Sequence, residues 1–273
     1  MSGPAGGAVR LPFLGPDGRT VIVALDHALA GGQLPSLDRP RPLLEQLAAA
    51  RPDGLILTAG LAALRSPHAA PWLLTADYYA TSLEPGGAGD LEVHLPLWSP
   101  EHARRLGAAG LKCLLVFGRV DPAVQRRNLR FVAQLLEQAR AVGLPVMVEA
   151  VLWGADLAPA REHDGELVAH AARVAFELGA DLIKVALPDD LRPLARLATA
   201  IPVPLVLMGG PAKDPAALFP RLRDAFDAGV RGVALGRNVW AAPEPGRMVA
   251  ALKALVHDGA TAPEALARLR SPD

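Results

Sequence analysis

The chain contains little cysteine and carries no excess of charge of either sign. Cys113 is its one cysteine in 273 residues, which excludes an internal disulfide framework and a metal cluster held by cysteines alone, and fits a reducing compartment. The 28 basic and 28 acidic residues give a formal net charge of zero, and the basic residues are scattered. We therefore expect a cytoplasmic protein that binds neither nucleic acid nor an anionic membrane.

Long apolar runs and spaced metal ligands are also missing. No apolar run approaches the roughly 18 residues of a membrane-spanning helix. The N-terminal stretch MSGPAGGAVRLPFLGPDG lacks the charged-then-apolar pattern of a signal peptide. The histidines follow no metal-ligand spacing, although Asp26 and His27 are adjacent. We expect no membrane span, no export, and no metal or organic cofactor.

Lysine is scarce, and its scarcity makes each lysine informative. Arginine supplies most of the basic residues, so it serves wherever a positive charge alone is required. A lysine inside an apolar strand is a candidate nucleophile, because an amine can lose its proton and attack a carbonyl, whereas a guanidinium stays protonated. The four lysines are Lys112, Lys184, Lys213 and Lys253.

The remaining composition predicts a large, ordered core, since hydrophobic residues make up 51% and charged residues 21% of the chain. Short apolar runs alternate with polar or amphipathic stretches, which is typical of βα units around a parallel sheet. A TIM (β/α)8 barrel has about 250 residues, so we predict one such α/β domain over residues 1–273. Residues 75–100 are predicted to form a long loop. The predicted strands are 21–26, 54–59, 72–76, 111–117, 145–151, 181–187, 203–208 and 232–235, and the clearest predicted helices are 122–141, 163–178, 189–199, 214–228 and 244–257.

Four predicted strands carry an ionisable residue among apolar neighbours: Asp26, Lys112, Glu149 and Lys184. Catalytic groups of barrel enzymes lie at the carboxyl ends of the strands. Because side chains alternate between the two faces of a strand, all four residues can point into the barrel interior. We predict that two amines and two carboxylates meet in one cavity.

Lys184, in the segment ADLIKVALP, is the strongest candidate nucleophile. Burial of an ammonium lowers its pKa from about 10.4 toward neutrality, and a second cation such as Lys112 lowers it further. Alternatively, Lys184 only neutralises a buried carboxylate or binds phosphate, and Lys112 is structural.

The two carboxylates are candidate general acid–base groups. Burial raises the pKa of Glu149, whereas adjacent lysines lower it. Asp26 can share the acid–base task, or it can hold a lysine or a substrate hydroxyl. A structural role stays open for both.

Two glycine turns predict a phosphate site. Gly209 and Gly210 end the seventh predicted strand, and Gly236 ends the eighth. Glycine lets the backbone approach an anion and point its N–H groups at it, and the loops after strands seven and eight form the recurrent phosphate site of barrels. Arg237 can add a charge-assisted contact. The alternative is that these glycines only make tight turns.

The chain resembles the class I aldolases of the archaeal-type fructose-bisphosphate and tagatose-1,6-bisphosphate aldolase superfamily. The likeness runs from VIVALDH to GRNVW, over most of the chain. ADLIKVALP is similar to the segment with the Schiff-base lysine, which implies that role for Lys184. VMVEAVLWG is similar to the segment with a catalytic glutamate, which implies that role for Glu149. The segments with Asp26 and Lys112 also match, as do LMGGPAK and LGRNVW, which resemble the paired phosphate loops.

One departure bears on the substrate. The archaeal-type enzymes carry a tyrosine acid in a Tyr-Pro-Arg-Gly segment after the fifth strand, where this chain has Val151-Leu152-Trp153-Gly154. This favours Glu149 as the acid and weighs against fructose bisphosphate as the substrate.

The resemblance implies a class I aldolase that makes or breaks a carbon–carbon bond in a phosphorylated ketose through a lysine Schiff base. No metal or cofactor is expected, and we expect a homo-oligomer. Two kinds of alternative stay open. One is an enzyme of another type, such as a non-covalent phosphosugar isomerase or epimerase, or an acyl-transferring relative. The other is a catalytically silent barrel that binds a sugar phosphate.

Overall fold

Eight parallel strands close into a barrel in the computed structural model, which describes residues 10–78 and 93–270. The strands are β1 (Thr20–Ala24), β2 (Gly54–Leu57), β3 (Trp72–Thr75), β6 (Gly110–Val116), β7 (Val146–Val151), β8 (Leu182–Ala186), β9 (Leu205–Met208) and β10 (Gly232–Leu235). Around the barrel the order is β1, β10, β9, β8, β7, β6, β3 and β2. Every predicted strand is present, with bounds shifted by at most a few residues, and the TIM-barrel prediction is confirmed.

Helices connect the strands and cover the outside of the barrel, and the five predicted helices correspond to α5, α6, α7, α8 and α10. Within the described residues, no helix has both the length and the apolar character needed to cross a membrane. The helices are α1 (Ala28–Gly31), α2 (Pro40–Ala50), α3 (Ala59–Ala62), α4 (Pro100–Arg105), α5 (Pro122–Ala141), α6 (Gly165–Leu178), α7 (Arg192–Ala200), α8 (Pro215–Asp227), α9 (Arg237–Trp240), α10 (Pro245–Val256) and α11 (Ala262–Arg270), with a 3-10 turn at Pro159–Arg161.

The segment predicted as a long loop contains some regular structure. Two short strands, β4 (Asp77–Tyr78) and β5 (Leu95–Pro96), pair in antiparallel fashion directly after β3. These strands are too short to give an alternation signal in the sequence. The EPGGAGD stretch of the predicted loop, residues 84–90, lies outside the described residues.

Two layers of apolar side chains result from the alternation along the strands. Cys113 is fully buried in the outer layer with residues of the helices, and burial raises the pKa of its thiol. It packs there as a small buried hydrophobe. The inner layer consists of Phe13, Ile22, Ala24, Ile56, Leu73, Met147, Leu182, Val206 and Ala234.

Phe13 closes the amino-terminal floor of the barrel, although it precedes the first strand. Its side chain is fully buried in the inner layer, and its carbonyl accepts a hydrogen bond from Thr20 Oγ1 at 2.6 Å. Two strand glycines leave the space that the ring needs. A Cβ at Gly54 would lie 3.0 Å from Phe13 Cβ, and one at Gly110 would lie 3.4 Å from Phe13 Cε1.

Strand β6 extends beyond its neighbour β3, and side chains complete its hydrogen bonding. The register of β3 with β6 ends at Thr75 and Lys112. Beyond that point, the amide of Leu114 donates to Asp77 Oδ2 at 2.9 Å. On α5, Asn128 accepts from the amide of Val116 and donates to the carbonyl of Leu114. These contacts satisfy buried backbone groups that would otherwise lack a partner.

A histidine joins three distant segments at the bottom of the barrel. His257, after α10, lies 2.8 Å from Asp17 Oδ2 through Nδ1 and 2.8 Å from Asp53 Oδ2 through Nε2. Asp53 also accepts from the amide of Val21, and Lys253 Nζ lies 3.8 Å from its other oxygen. Burial alone would lower the pKa of His257, but the two carboxylates raise it above 6.5.

We predict that this contact makes folding stability depend on pH. A histidine whose pKa is raised by folding stabilises the protein fully below about pH 6.5, and this contribution is lost as the pH rises through the raised value. His257→Gln should lower the free energy of unfolding by about 1–2 kcal/mol at pH 6 and flatten its dependence between pH 6 and pH 9. Urea unfolding across that range measures both effects. The exposed His68 provides the control, since His68→Gln should keep the wild-type profile; identical profiles for wild type and His257→Gln would contradict the prediction.

Candidate active site

Four ionisable side chains meet in the barrel, three of them on strands and Asp26 in the turn just after β1. Glu149 and Lys184 are register partners on β7 and β8, and Lys184 Nζ lies 2.7 Å from Glu149 Oε1. Lys112 Nζ, from β6, lies 2.8 Å from Glu149 Oε2 and 3.2 Å from Asp26 Oδ2. The structure therefore brings together the two amines and two carboxylates that strand alternation predicted. They form a continuous chain of ion pairs, Asp26–Lys112–Glu149–Lys184.

Charge pairing offsets the cost of burying these groups. Burial alone would raise the pKa of both carboxylates, but Lys112 and Lys184 hold the pKa of Asp26 and that of Glu149 below their ordinary values. Conversely, burial would lower the pKa of Lys112, but Asp26 and Glu149 raise it well above 10.5. Lys112 thus stays protonated, and both carboxylates are ionised at neutral pH.

Asp26 has further neighbours that its own strand does not supply. Thr75 Oγ1, at the end of β3, donates to Asp26 Oδ2 at 2.8 Å. His27 Nδ1 lies 3.7 Å from Asp26 Oδ1, and the imidazole packs edge-on against Trp240 with 5.6 Å between ring centroids. Burial lowers the pKa of His27 to about 4, so the ring is neutral at pH 7. Trp240 in turn donates from Nε1 to the carbonyl of Ala24.

The two predicted phosphate turns lie side by side and are joined by Asn238. Its Oδ1 accepts from the amide of Lys213 at 2.9 Å, and its Nδ2 donates to the carbonyl of Gly209 at 3.2 Å. A Cβ at Gly209 would lie 2.4 Å from Asn238 Nδ2, and one at Gly236 would lie 2.3 Å from His27 Cε1. Glycine is therefore required at both positions by close packing.

Gly210 differs from these two glycines. Its φ of +64° favours glycine, and a Cβ there would meet no atom within 4 Å, because the position faces open space. Arg237 is exposed at the start of α9, beside the turn at Gly236.

An open cavity of about 600 Å³ connects the ion-pair chain with the glycine turns. All eight predicted site residues line it. In the described parts of the chain, no three His, Cys, Asp or Glu side chains converge as metal ligands would. The lining residues are Asp26, His27, Leu29, Ala30, Thr75, Asp77, Tyr78, Lys112, Glu149, Trp153, Lys184, Met208, Gly209, Gly210, Ala234, Gly236 and Arg237.

Several of these residues were not predicted from the sequence. His27 was considered only as a metal ligand, and Thr75 and Asp77 belong to the segment predicted as a loop. Asn238, which is not among the lining residues, follows the turn at Gly236 and bonds the backbone of the turn at Gly209 and Gly210. The one available signal was position, since each follows or ends a barrel strand.

A barrel with a buried lysine–carboxylate chain beside two glycine turns is the arrangement expected of a barrel aldolase. The profile of the DeoC/LacD family aldolases matches residues 20–242. The chain therefore belongs to this family and is a class I aldolase, a carbon–carbon lyase. The resemblance noted from the sequence is confirmed.

Individual relatives agree with this assignment over nearly the whole chain. An uncharacterized aldolase of Saccharolobus solfataricus is 30% identical, with 97% of this chain and 99% of the relative aligned. The 2-amino-4,5-dihydroxy-6-oxo-7-(phosphonooxy)heptanoate synthase of Streptomyces griseus is 32% identical over 92% of this chain and 89% of its own. The structure also matches an archaeal fructose-1,6-bisphosphate aldolase whose catalytic lysine is covalently bound to the carbinolamine intermediate of its substrate. That match has a TM-score of 0.77 and 26% identity, and covers 89% of this chain and 96% of that one.

We predict that Lys112→Met destabilises the protein by about 3–5 kcal/mol at pH 7, because it leaves two buried carboxylates short of a counter-charge. Stabilisation by carboxylates with depressed pKa values is present above their unfolded values and is lost as the pH falls through the folded ones. Without Lys112 those pKa values rise, so the cost of the substitution should shrink between pH 7 and pH 5. Urea unfolding at both pH values measures it.

Lys253→Met is the matched control. Lys253 is partly exposed and lies 3.8 Å from Asp53 Oδ1, so its loss should cost no more than about 1 kcal/mol. Equal losses in the two variants would show that the ion-pair chain contributes no more than a surface contact.

Proposed function

We propose that the protein cleaves or forms a carbon–carbon bond in a phosphorylated ketose through a Schiff base on Lys184. The observation that carries this proposal is the unequal pairing of the two cavity lysines. Lys112 Nζ is held between two carboxylates, whereas Lys184 Nζ contacts one, Glu149 Oε1. Lys112 is thereby fixed as a cation, and Lys184 is the amine available for attack.

Glu149 can accept the proton that Lys184 must lose. It is ionised because its pKa is lowered, and its Oε1 already lies at hydrogen-bond distance from Lys184 Nζ. The neutral amine then attacks the ketone carbon to give a carbinolamine. Return of the proton from Glu149 to the carbinolamine hydroxyl releases water and leaves a protonated imine.

The imine accepts the electron pair of the bond that breaks. A carboxylate removes the proton of the hydroxyl on the second carbon from the imine carbon. The oxygen of that hydroxyl becomes the aldehyde oxygen. The electron pair of the broken carbon–carbon bond moves toward the imine and leaves an enamine. We assign this proton to Glu149, the carboxylate in contact with Lys184, with Asp26 holding Lys112 and a substrate hydroxyl. Glu149 then protonates the enamine, and hydrolysis frees Lys184.

The glycine turns are the proposed phosphate site. The backbone at Gly209, Gly210 and Gly236 can approach an anion closely, and the exposed guanidinium of Arg237 adds a charge. Strand β8, which carries Lys184, lies beside β9, so phosphate bound at the end of β9 places the adjacent ketone near Lys184. The scheme requires no metal or organic cofactor.

The ketone fragment we propose is dihydroxyacetone phosphate. The Streptomyces relative is named for a product with hydroxyls at carbons 4 and 5, a ketone at carbon 6 and a phosphate at carbon 7. Aldol cleavage breaks the bond between the carbon next to the ketone and the following hydroxyl-bearing carbon, here between carbons 5 and 4. The fragments are dihydroxyacetone phosphate and the aldehyde 2-amino-4-oxobutanoate.

Family membership favours an aldolase over the non-covalent isomerase and the silent binding barrel. The remaining expectations from the sequence stay predictions: one domain over residues 1–273, cytoplasmic location, homo-oligomeric assembly and no binding of nucleic acid.

With dihydroxyacetone phosphate and borohydride, the protein should gain one covalent adduct, located on the peptide that contains Lys184. Lys184→Arg should abolish both the adduct and aldol turnover, because a guanidinium does not form an imine. Mass spectrometry of the intact protein and of its peptides measures both. Lys213→Arg, in a loop outside the ion-pair chain, should trap normally.

Glu149→Gln separates imine formation from later steps in the same assay. Turnover should fall at least about a hundredfold, while an adduct still accumulates with longer incubation. An adduct on Lys112, or turnover retained by Lys184→Arg, would refute the Schiff-base assignment.

Gly210→Val should raise the KM for dihydroxyacetone phosphate roughly tenfold more than the KM for unphosphorylated dihydroxyacetone, because the new side chain enters the anion's approach. Gly143→Val is the matched control. Gly143 also has a positive φ, of 72°, and open space around its Cβ position, but it lies outside the cavity. Steady-state kinetics with both ketones measures the ratio; equal effects on the two would show that the turn only supports folding.

A further inference from the structure

Asp77 is a buried carboxylate in the cavity that the proposed mechanism does not use. It follows β3, lines the cavity and is 0% exposed. Its Oδ2 accepts from the amide of Leu114 at 2.9 Å and lies 3.1 Å from His94 Nε2. Its Oδ1 is buried and has no hydrogen-bond partner among residues 10–78 and 93–270. One oxygen is thus fully engaged, while the other lacks a donor.

The engaged oxygen has a structural explanation and the other does not. Oδ2 completes the edge of β6 where β3 ends, and His94, packed against Phe131, holds it there. An asparagine could do this with its single carbonyl oxygen. A carboxylate adds a second acceptor and a negative charge, and an acceptor left without a donor in a buried site is destabilising. The folded protein therefore retains an acceptor that the fold does not need.

The position of Asp77 in the barrel indicates which half of a bound substrate lies near it. In the closed strand order, β3 is four places from β9, which puts Asp77 across the barrel from the turn at Gly209 and Gly210. Three strands lie between them around the barrel: β8 with Lys184, β7 with Glu149 and β6 with Lys112. A substrate with its phosphate at the glycine turn and its ketone at Lys184 extends the aldehyde half toward Asp77.

We propose that Asp77 is a specificity-determining residue that binds a hydroxyl or ammonium donor on the aldehyde half of the substrate and excludes a phosphate there. This inference rests on the proposed function. The cavity has opposite ends: backbone N–H groups and Arg237 on one side, and a carboxylate on the other. An N–H or O–H group supplies the donor that Oδ1 lacks, whereas a phosphate would place like charges together. The substrate then carries one phosphate, on its ketone half.

Matched aldehydes test the proposal on the unaltered protein in the direction of synthesis, with dihydroxyacetone phosphate as the ketone. The kcat/KM for D-glyceraldehyde should be about tenfold or more higher than that for propanal. The kcat/KM for 2-amino-4-oxobutanoate should exceed that for 4-oxobutanoate by the same factor. D-Glyceraldehyde 3-phosphate should be poorer than D-glyceraldehyde. The two donor pairs show whether hydroxyl or ammonium is preferred, and a preference for the phosphorylated aldehyde overturns the proposal.

Asp77→Asn tests the residue itself. With its carbonyl on Leu114 and His94, the asparagine presents an N–H donor in place of Oδ1, so both tenfold preferences should fall to about twofold. The kcat/KM for D-glyceraldehyde 3-phosphate should rise relative to that for D-glyceraldehyde. Unchanged ratios in this variant contradict the proposal, and if the variant does not fold, the ratios of the unaltered protein decide.

Asp181→Asn is the matched control. Asp181 Oδ2 likewise accepts from a strand amide, that of Val146, but at the other end of the barrel. In Asp181→Asn, the kcat/KM ratios between the paired aldehydes should equal those of the unaltered protein. Borohydride trapping on Lys184 is measured in parallel in both variants. An adduct that forms while the ratios fail to change refutes the role of Asp77 alone, whereas no adduct in the unaltered protein refutes the proposed function.

Discussion

The chain of ion pairs from Asp26 through Lys112 and Glu149 to Lys184 is the constraint on which the site depends. Two amines and two carboxylates are buried together, and removal of any one of them leaves an unbalanced charge in a low-dielectric interior. Because Lys112, Glu149 and Lys184 come from three adjacent strands and Asp26 follows a fourth, the pairs also require the correct register around the barrel. The site and the closure of the barrel are therefore stabilised by the same contacts.

Strand alternation predicted the ionisable residues at the centre of the site. The surrounding residues depend on tertiary contacts that no local sequence pattern predicts. A lysine or glutamate in an apolar strand is conspicuous, and Lys184 and Glu149 were found in this way. Asp77 follows a strand in a segment with no clear periodicity, and its importance comes from the shortened pairing of β3 with β6. Phe13 fills the barrel although it belongs to no strand. Both depend on tertiary packing, which sequence periodicity does not encode.

The strand order also arranges the chemistry in space. In the proposed site, the anion-binding turn follows β9, the amine, the acid–base carboxylate and the fixed cation lie on β8, β7 and β6, and the acceptor carboxylate follows β3. Asn238, on the turn after β10, bonds the backbone of the turn after β9, so the proposed phosphate site is held together as one unit. In the proposed mechanism, a substrate held by its phosphate at the end of β9 places its ketone at Lys184 and Glu149.

The aromatic ring that closes the barrel floor bears on the order of product release. Because Phe13 and the inner apolar layer fill the axis below the ion pairs, both fragments of a cleaved substrate leave through the mouth they entered. In the proposed mechanism, the aldehyde is free once the carbon–carbon bond breaks, while the ketone half is still bonded to Lys184 and held by its phosphate. Release is then sequential, with the aldehyde first, and added ketone product should compete with substrate while added aldehyde should not.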